Sequence, residues 1–420
     1  MKITVDYKNG GAYDVIVCGG GPSGVAAAVA CARAGVKVLL IEQGGCLGGF
    51  WTRGLLTWLI DTFDKGGLLD ELMERLEKDA DGKAFRHMPR FTADTEKTKL
   101  VLERLCREAG VDILYHTFVS GTVVENERIS AVLTESKSGR VCYAGRMFID
   151  ATGDGDLSYL AGADYELGNE EGKTQPLSLI AHVSGVDTDA FLPYDSRYTP
   201  NKQAKCAILE DMRSAGAEPS YRAPLIALLS EKYKTFGFMT DHQYKSGLDN
   251  TQLTEATLDA REEIHAVTNA LRSVGGVWKE LCVSSTADMI GVREGRRIRG
   301  LYRLTADDVN QGRCFEDGIC TVGFKTDVHD LSKDGGESER KKYGKEHPPY
   351  QIPMRSLISA DIKNLLMAGR CISGDFVAHS SYRVAGPAFR TGEVSGLIAA
   401  YCIKNSAEPA ELRSSHVLFE

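Results

Sequence analysis

Tyr13-Asp14-Val15-Ile16-Val17-Cys18, followed at once by Gly19-Gly20-Gly21-Pro22-Ser23-Gly24, is the stretch that decides the fold. Six β-prone residues in an unbroken run suit a strand buried on both faces of a parallel sheet. The alanine-rich residues 25–34 then read as a helix stopped by Gly35, and residues 36–41 as a second strand ending at Glu42. This is a β-α-β unit with a Gly-x-Gly-x-x-Gly turn in the context a dinucleotide requires. Gly19 permits the tight turn, Gly21 lets the backbone approach a pyrophosphate, and Gly24 lets helix and strand pack closely. Pro22 and Ser23 open the helix, whose free N–H groups and dipole favour an anion. Glu42, with Gln43 beside it, stands where ribose hydroxyls would be bound.

Further along, residues 62–110 look helical, 129–134 and 141–149 look like a hairpin, and the first sheet closes near Ile149-Asp150-Ala151-Thr152-Gly153-Asp154. From about 185 the texture changes to a polar, helix-rich stretch with mixed strands. An exposed loop is expected at 333–339, and the basic run Arg340-Lys341-Lys342 reads as solvated. Strand–turn–helix character returns at Asn364-Leu365-Leu366-Met367-Ala368-Gly369, before a small-residue helix over 387–401. The predicted fold is α/β: a Rossmann-like dinucleotide-binding domain built from 1–184 and 346–420, with an inserted α+β substrate domain at 185–345. No second nucleotide motif follows, since the segment 291–300 is far too basic for one. A nicotinamide dehydrogenase would have no use for the late return at 365–369. A flavin held by both chain ends explains both observations.

Composition agrees. A chain of 420 residues is too long for one core, and 43% hydrophobic with 26% charged residues is ordinary for a globular protein. Of its 44 glycines, 12 lie in the first 54 residues and five more between Gly369 and Gly396, where backbone would meet a dinucleotide. Fifty basic against 58 acidic residues give a net charge of −8, with no basic stripe for nucleic acid. The 11 cysteines include no Cys-x-x-Cys and the nine histidines no His-x-x-x-His, so no metal is expected. The N-terminal residues lack the apolar core of a signal peptide, and the early apolar run is broken by glycines and Pro22. A cytoplasmic protein without a membrane partner is the expectation.

An ordered series of motifs then carries a resemblance. Gly44-Gly45-Cys46-Leu47-Gly48-Gly49 is followed by the segment from Ile149 to Asp154, by Gly291-Val292-Arg293-Glu294-Gly295-Arg296-Arg297 and by Asp327-Val328-His329. Next come Ile352-Pro353-Met354-Arg355, then Gly369-Arg370-Cys371-Ile372-Ser373, and finally Ala378-His379-Ser380-Ser381-Tyr382-Arg383. Together these resemble the bacterial FAD-dependent oxidoreductase family, of the glutathione-reductase-like superfamily, and more distantly fumarate reductase flavoprotein subunits. The resemblance implies that Gly48 and Gly49 approach the pyrophosphate or flavin and that Val119 pairs its backbone with adenine. It also implies that Ala151, Thr152, Gly153 and Asp154 line the FAD, and that Gly369, Arg370 and Ser373 cover the ribityl and pyrophosphate. The helix near Gly386 and Pro387 would aim N–H groups at the pyrimidine end. Arg390, Glu393 and Tyr382 depart from the pattern, and the departure bears on the substrate.

For the chemistry, His329 and His379 are the acid/base candidates. Among Arg293, Arg296, Arg297, Arg355 and Arg383, one or two are expected to anchor an anion, with Arg293 and Arg383 foremost, while the others pair with local acids. Cys46 reads as packing. The leading reading is an FAD-dependent oxidoreductase moving hydride between the flavin and a small polar substrate, with carboxylated molecules among the candidates. The alternatives are a fumarate-reductase-like C=C reductase, and a flavin-binding scaffold or RNA-modification partner without turnover. The electron partner, the direction of the reaction and self-association stay open.

Overall fold

The computed structural model describes residues 4–78, 85–87, 90–196, 198–230, 232–333, 342–344, 346–412 and 414. Strand β1 (Lys8–Cys18) buries its last four residues completely, and helix α1 (Pro22–Arg33) returns the chain to β2 (Val38–Ile41). β1 and β2 pair in parallel from Val15↔Val38 to Cys18↔Ile41. Both strands therefore end level, which sets Gly19 beside Glu42.

The predicted helical span 62–110 is only partly helical. β3 (Trp58–Ile60), α2 (Gly67–Lys78), β4 (Phe85–His87), β5 (Arg90–Thr92) and α3 (Thr95–Ala109) follow in turn. β3, β5 and β4 form a small antiparallel sheet. The Asp81-Gly82 pair and Pro89 interrupt the helical period. The side chain of Asp94 accepts from the Lys97 N–H to start α3, and Gly110, at φ 83°, ends it.

β6 (Asp112–Leu114) joins β2 in parallel, and β7 (Phe118–Glu125), β8 (Arg128–Ser136) and β9 (Gly139–Asp150) form an antiparallel meander. The predicted hairpin is β8–β9. β9 runs parallel to β1 from Val141 to Asp150; on its other edge its first half pairs with β8 and its last residues run parallel to the late strand β18 (Leu365–Met367). The large sheet has the order β6-β2-β1-β9-β8-β7 with β18 on β9.

After α4 (Asp156–Leu160) and β10 (Tyr165–Glu166) comes a second layered unit. Its elements are β11 (Ala181–Ser184), α5 (Asn201–Ser214), β12 (Leu225–Ser230), β13 (Thr235–Met239), α6 (Asn250–Val274) and β14 (Cys282–Thr286). The strands form a sheet in the order β12-β13-β11-β14. Ala256, Ala260, Ile264, Val267 and Leu271 recur at helical spacing along α6 and pack with Phe236, Phe238 and Trp278 in a core of their own.

The chain then returns to the first core through β15 (Arg297–Ile298), α7 (Ala306–Asn310), β16 (Gly318–Val322) and β17 (Tyr350–Pro353). Ile298, Leu304, Val309, Ile319 and Val322 all pack there. β18 (Leu365–Met367), α8 (Phe376–Tyr382) and α9 (Ala385–Asn405) complete it. α9 lies on α1: a side chain on Gly392 would overlap the Ser23 carbonyl, and one on Gly396 the Ala27 carbonyl. The segment 334–341, with most of the expected loop and two residues of the basic run, lies outside the described residues.

Candidate active site

The glycine turn is closed by contacts at Gly19 and Gly24 and open at Gly21. Gly19 has φ +102°, and a Cβ there would strike the Ala151 carbonyl; a Cβ on Gly24 would strike the Gly19 carbonyl. A Cβ on Gly21, by contrast, meets nothing within 4 Å. Gly21 is also the N-cap of α1, which has no side-chain cap and no acidic residue in its first turn. An unfilled space above uncapped helical N–H groups fits a pyrophosphate.

The second motif closes on the same turn. The Gly48 N–H donates to the Gly20 carbonyl at 2.8 Å, and a Cβ on Gly49 would stand 3.0 Å from the Gly21 Cα. Gly48 and Gly49 have φ values of +103° and +50°, which favour glycine. The buried Glu42 carboxylate accepts from the N–H groups of Gly20 (2.7 Å) and Gly44 (2.6 Å) and lies 3.4 Å from Arg53. The Thr117 N–H donates to the Glu42 carbonyl, which brings Val119 on β7 to this edge. Gln43 is exposed.

Asp150, fully buried at the end of β9, organises the turn that follows. Its carboxylate accepts from the N–H and hydroxyl of Thr152 (3.1 and 2.7 Å) and of Ser158 (2.8 and 2.6 Å). The motif contained Asp150, yet sequence reading gave it no role; a carboxylate beside two hydroxyl residues was the available signal. Asp154 pairs with Arg370 at 2.8 Å, and Arg370 also donates to the Val292 carbonyl. Gly153 has φ +82° and no room for a side chain against Arg370. Gly369 rests on Ser23, and its N–H donates to Thr391.

Gly386 sits at the start of α9 and presses on the Asp61 carbonyl, and Pro387 follows in the same turn. Ser373 keeps other company: its backbone pairs with Ser356 and Leu304, and its Cβ faces Gly300. Thus Gly19, Gly21, Pro22, Ser23, Gly24, Glu42, Gly48, Gly49, Ala151, Thr152, Gly153, Asp154, Gly369 and Arg370 form one continuous cradle.

Next to that cradle lies a polar cluster. Arg293 follows Val292, the residue whose carbonyl holds Arg370. Arg383 precedes Val384, the N-cap of α9. The Arg293 guanidinium donates to the Pro176 carbonyl (2.6 Å) and the Ser178 hydroxyl (2.9 Å). Arg383 donates to the Asp327 carbonyl (2.8 Å) and the Gln175 amide oxygen (3.2 Å); its Nε is buried with no hydrogen-bond partner among the described residues. Burial pushes Arg383 down to about 10, so it is still charged at neutral pH.

His329 Nε2 lies 3.3 Å from Asp327 Oδ2, and its Nδ1 lies 3.1 Å from His242 Nε2. Its side chain is 12% exposed, that of Asp327 43%. Burial, then Arg293, push His329 down to about 3, with Asp327 opposing. Against the cost of burial, His329, Arg383 and Arg293 hold the Asp327 carboxyl far below its usual range.

His379 lies one helical turn before Arg383, whose N–H donates to its carbonyl at 3.1 Å. It is wholly enclosed, edge-on to Tyr382 at 5.5 Å, and burial followed by Arg297, Arg383 and Arg370 keeps it neutral. The remaining arginines have local partners: Arg296 with Asp156, Arg297 with Glu294, and Arg355 with Asp317 through two hydrogen bonds of 2.9 and 3.1 Å. Arg390 pairs with Glu393, whose other oxygen accepts from the Leu68 N–H at the start of α2. Tyr382 donates to the Ile372 carbonyl. These departures tie elements together. Cys46 is half-buried, its thiol pushed up by burial, as packing requires. Gln175 and His242 went unread in the sequence, because lone polar residues on non-periodic segments carry no pattern.

Among the described residues no helix is long and apolar enough to cross a membrane, and no group of three or more His, Cys, Asp or Glu residues could hold a metal ion. Thiamine thiazole synthase of Aeropyrum pernix is 35% identical over 122 residues, 29% of this chain and 43% of that one. The same enzyme of Methanothermobacter thermautotrophicus is 32% identical over 164 residues, 36% and 59% of the two chains. The matches thus span about half the length of these relatives. A geranylgeranyl bacteriochlorophyll reductase-like protein from Thermoplasma acidophilum shares the fold at 14% identity and a TM-score of 0.51, over 94% of this chain and 80% of that one. The OxyS anhydrotetracycline hydroxylase of Streptomyces rimosus does so at 13% and 0.50, over 95% and 64%. The model of the family described as FAD dependent oxidoreductase matches residues 14–418. The chain belongs to the FAD dependent oxidoreductase family, and FAD is its cofactor.

Proposed function

We propose that the protein transfers hydride between FAD and a small carboxylated substrate, gripping the carboxylate with Arg293 and Arg383 and exchanging the substrate proton at His329. The observation that carries this reading is a charge imbalance. Among the described residues the two buried guanidiniums hydrogen-bond only neutral atoms, and the pair shares the single carboxylate of Asp327, 4.0 Å from Arg383. Asp241 balances Arg293 only in part, because burial pushes its carboxyl up to about 7. A buried site with surplus positive charge and an unpartnered Arg383 Nε is suited to an anion.

FAD, when bound, supplies the hydride acceptor or donor. Gly21 and the α1 N-terminus would hold its pyrophosphate, Glu42 its ribose, and Asp154 with Arg370 the middle of the molecule. The proton is managed by the protein. In the free site His329 is a weak base because Arg293 disfavours the imidazolium. A substrate carboxylate on Arg293 and Arg383 cancels that charge and raises His329 toward its ordinary range while substrate is present. Asp327 then stabilises the imidazolium. His379, enclosed and neutral, is read as structural.

The test is anaerobic mixing of the FAD-loaded protein with small hydroxy, amino and unsaturated acids, each beside its neutral amide. Bleaching of oxidised flavin reports a dehydrogenase, and reoxidation of reduced flavin a C=C reductase. At least one acid should respond, with its amide about 100-fold weaker, as expected when a buried charge loses its partner. Amides as effective as acids would overturn the reading.

A further inference from the structure

His242 belongs to none of the motifs that pointed to the site, yet it is held from several sides. It is 2% exposed and stacks on Tyr221 with ring centroids 4.0 Å apart and planes at 28°. Its backbone N–H donates to the Ser220 hydroxyl, which the Glu263 carboxylate fixes at 2.7 and 2.9 Å. The next residue, Gln243, exchanges backbone hydrogen bonds of 2.9 Å with Leu177. From this seat its Nε2 meets His329 Nδ1 at 3.1 Å. The charged and titratable groups around the two rings are Asp327, Arg293, Arg383, Asp241, Tyr221, Tyr244 (edge-on to His242 at 6.2 Å) and, through Ser220, Glu263.

The proton positions follow from the contacts. Asp327 is ionised, and an ionised carboxylate only accepts, so His329 carries its proton on Nε2. A neutral His329 then has a lone pair on Nδ1, and the hydrogen between the rings must belong to His242 Nε2. We propose that His242 is the positioning residue of the site: by donating Nε2–H to His329 Nδ1, it fixes the ring so that His329 presents its own Nε2–H beside Asp327, on the less buried side. For turnover, which rests on His329 being the proton-exchanging group, the Nδ1 lone pair must first be freed from the His242 N–H; the tautomer assignment does not depend on that reading.

Long-range proton–nitrogen correlation spectra of the FAD-loaded protein labelled with 15N-histidine, at pH 7, test this directly. His329→Gln and His242→Gln assign the signals. Both rings should appear neutral and protonated at Nε2. His242→Gln, whose amide N–H can replace the donor, should leave the His329 signals in place, whereas His242→Leu should release the ring and average its two nitrogens. The unfolding midpoint and flavin spectrum confirm that each variant folds. A proton on His329 Nδ1 in the parent, or unchanged His329 signals in His242→Leu, overturns the proposal. If the tautomers are as stated and no acid perturbs the flavin, the positioning role stands and the substrate reading fails.

Discussion

Gly21 and Gly24 are three residues apart and predict opposite outcomes. At Gly21 a side chain has space and an ordinary extended backbone, so Gly21→Val should fold with stability within about 1 kcal/mol of the parent. It would fill the space assigned to the pyrophosphate, so FAD affinity should fall on the order of 100-fold, read by flavin retention on gel filtration. At Gly24 the same kind of change overlaps the Gly19 carbonyl, and Gly24→Ala should cost about 3 kcal/mol or more in denaturant unfolding.

His329 gives a prediction in pH. Its proton affinity is lowered in the folded protein to about 3 from an ordinary 6.5, so the unfolded chain binds a proton that the folded one refuses. Its contribution to stability is complete above pH 6.5 and is lost as pH falls toward 3. Within that window the parent should lose up to about 1.4 kcal/mol per pH unit for this one proton, and His329→Gln should flatten that part of the curve. Equal slopes would place His329 in solvent.

The glycines and Glu42 were legible in sequence because each answers to a backbone or strand-end requirement at fixed spacing. Gln175 and His242 were not, because their role arises only where segments distant in sequence meet.

At the scale of elements, the contact between α1 and α9 joins the two ends of the chain. Ser23 and Ala27 present carbonyls to Gly392 and Gly396, so backbones approach where side chains would hold them apart. Gly392→Val should therefore cost about 3 kcal/mol or more in thermal or denaturant unfolding; a loss below about 1 kcal/mol would show that the helices can separate freely. The small-residue helix was visible in the sequence, but its partner was not, since an alanine-rich helix carries no label for the face it offers. Arg390 and Glu393 looked anomalous in sequence for the same reason. Their contacts with Ile319 and Leu68 tie α9 to β16 and α2, and no local pattern announces that.

At the scale of the whole molecule, two large cores hold most of the buried apolar side chains among the described residues, beside two small clusters. The first gathers residues from both ends, including those of β15–β18, and the second holds residues from Leu177 to Ile290. We propose that the inserted unit follows the second core, roughly 177–292, in place of the 185–345 expected from the change in sequence texture. The texture misleads because β15 and β16 are short strands without periodic signal, while their pairing with β10 and β17 decides where they belong. Leu271→Ala, in the second core, should cost about 2–5 kcal/mol and leave FAD retention unchanged. Loss of both together would mean that the cores do not act separately.

The proposed active site lies where the two cores meet: Arg293 directly follows the second segment, Arg383 stands before α9, and the glycine cradle proposed for FAD reaches Val292 through Arg370. The most direct test is a crystal structure of the FAD-loaded protein with the acid that responds best in the flavin assay. The pyrophosphate should lie over Gly21 at the N-terminus of α1, and the acid's carboxylate within about 3 Å of both Arg293 and Arg383. A carboxylate bound away from both arginines would overturn the proposed site.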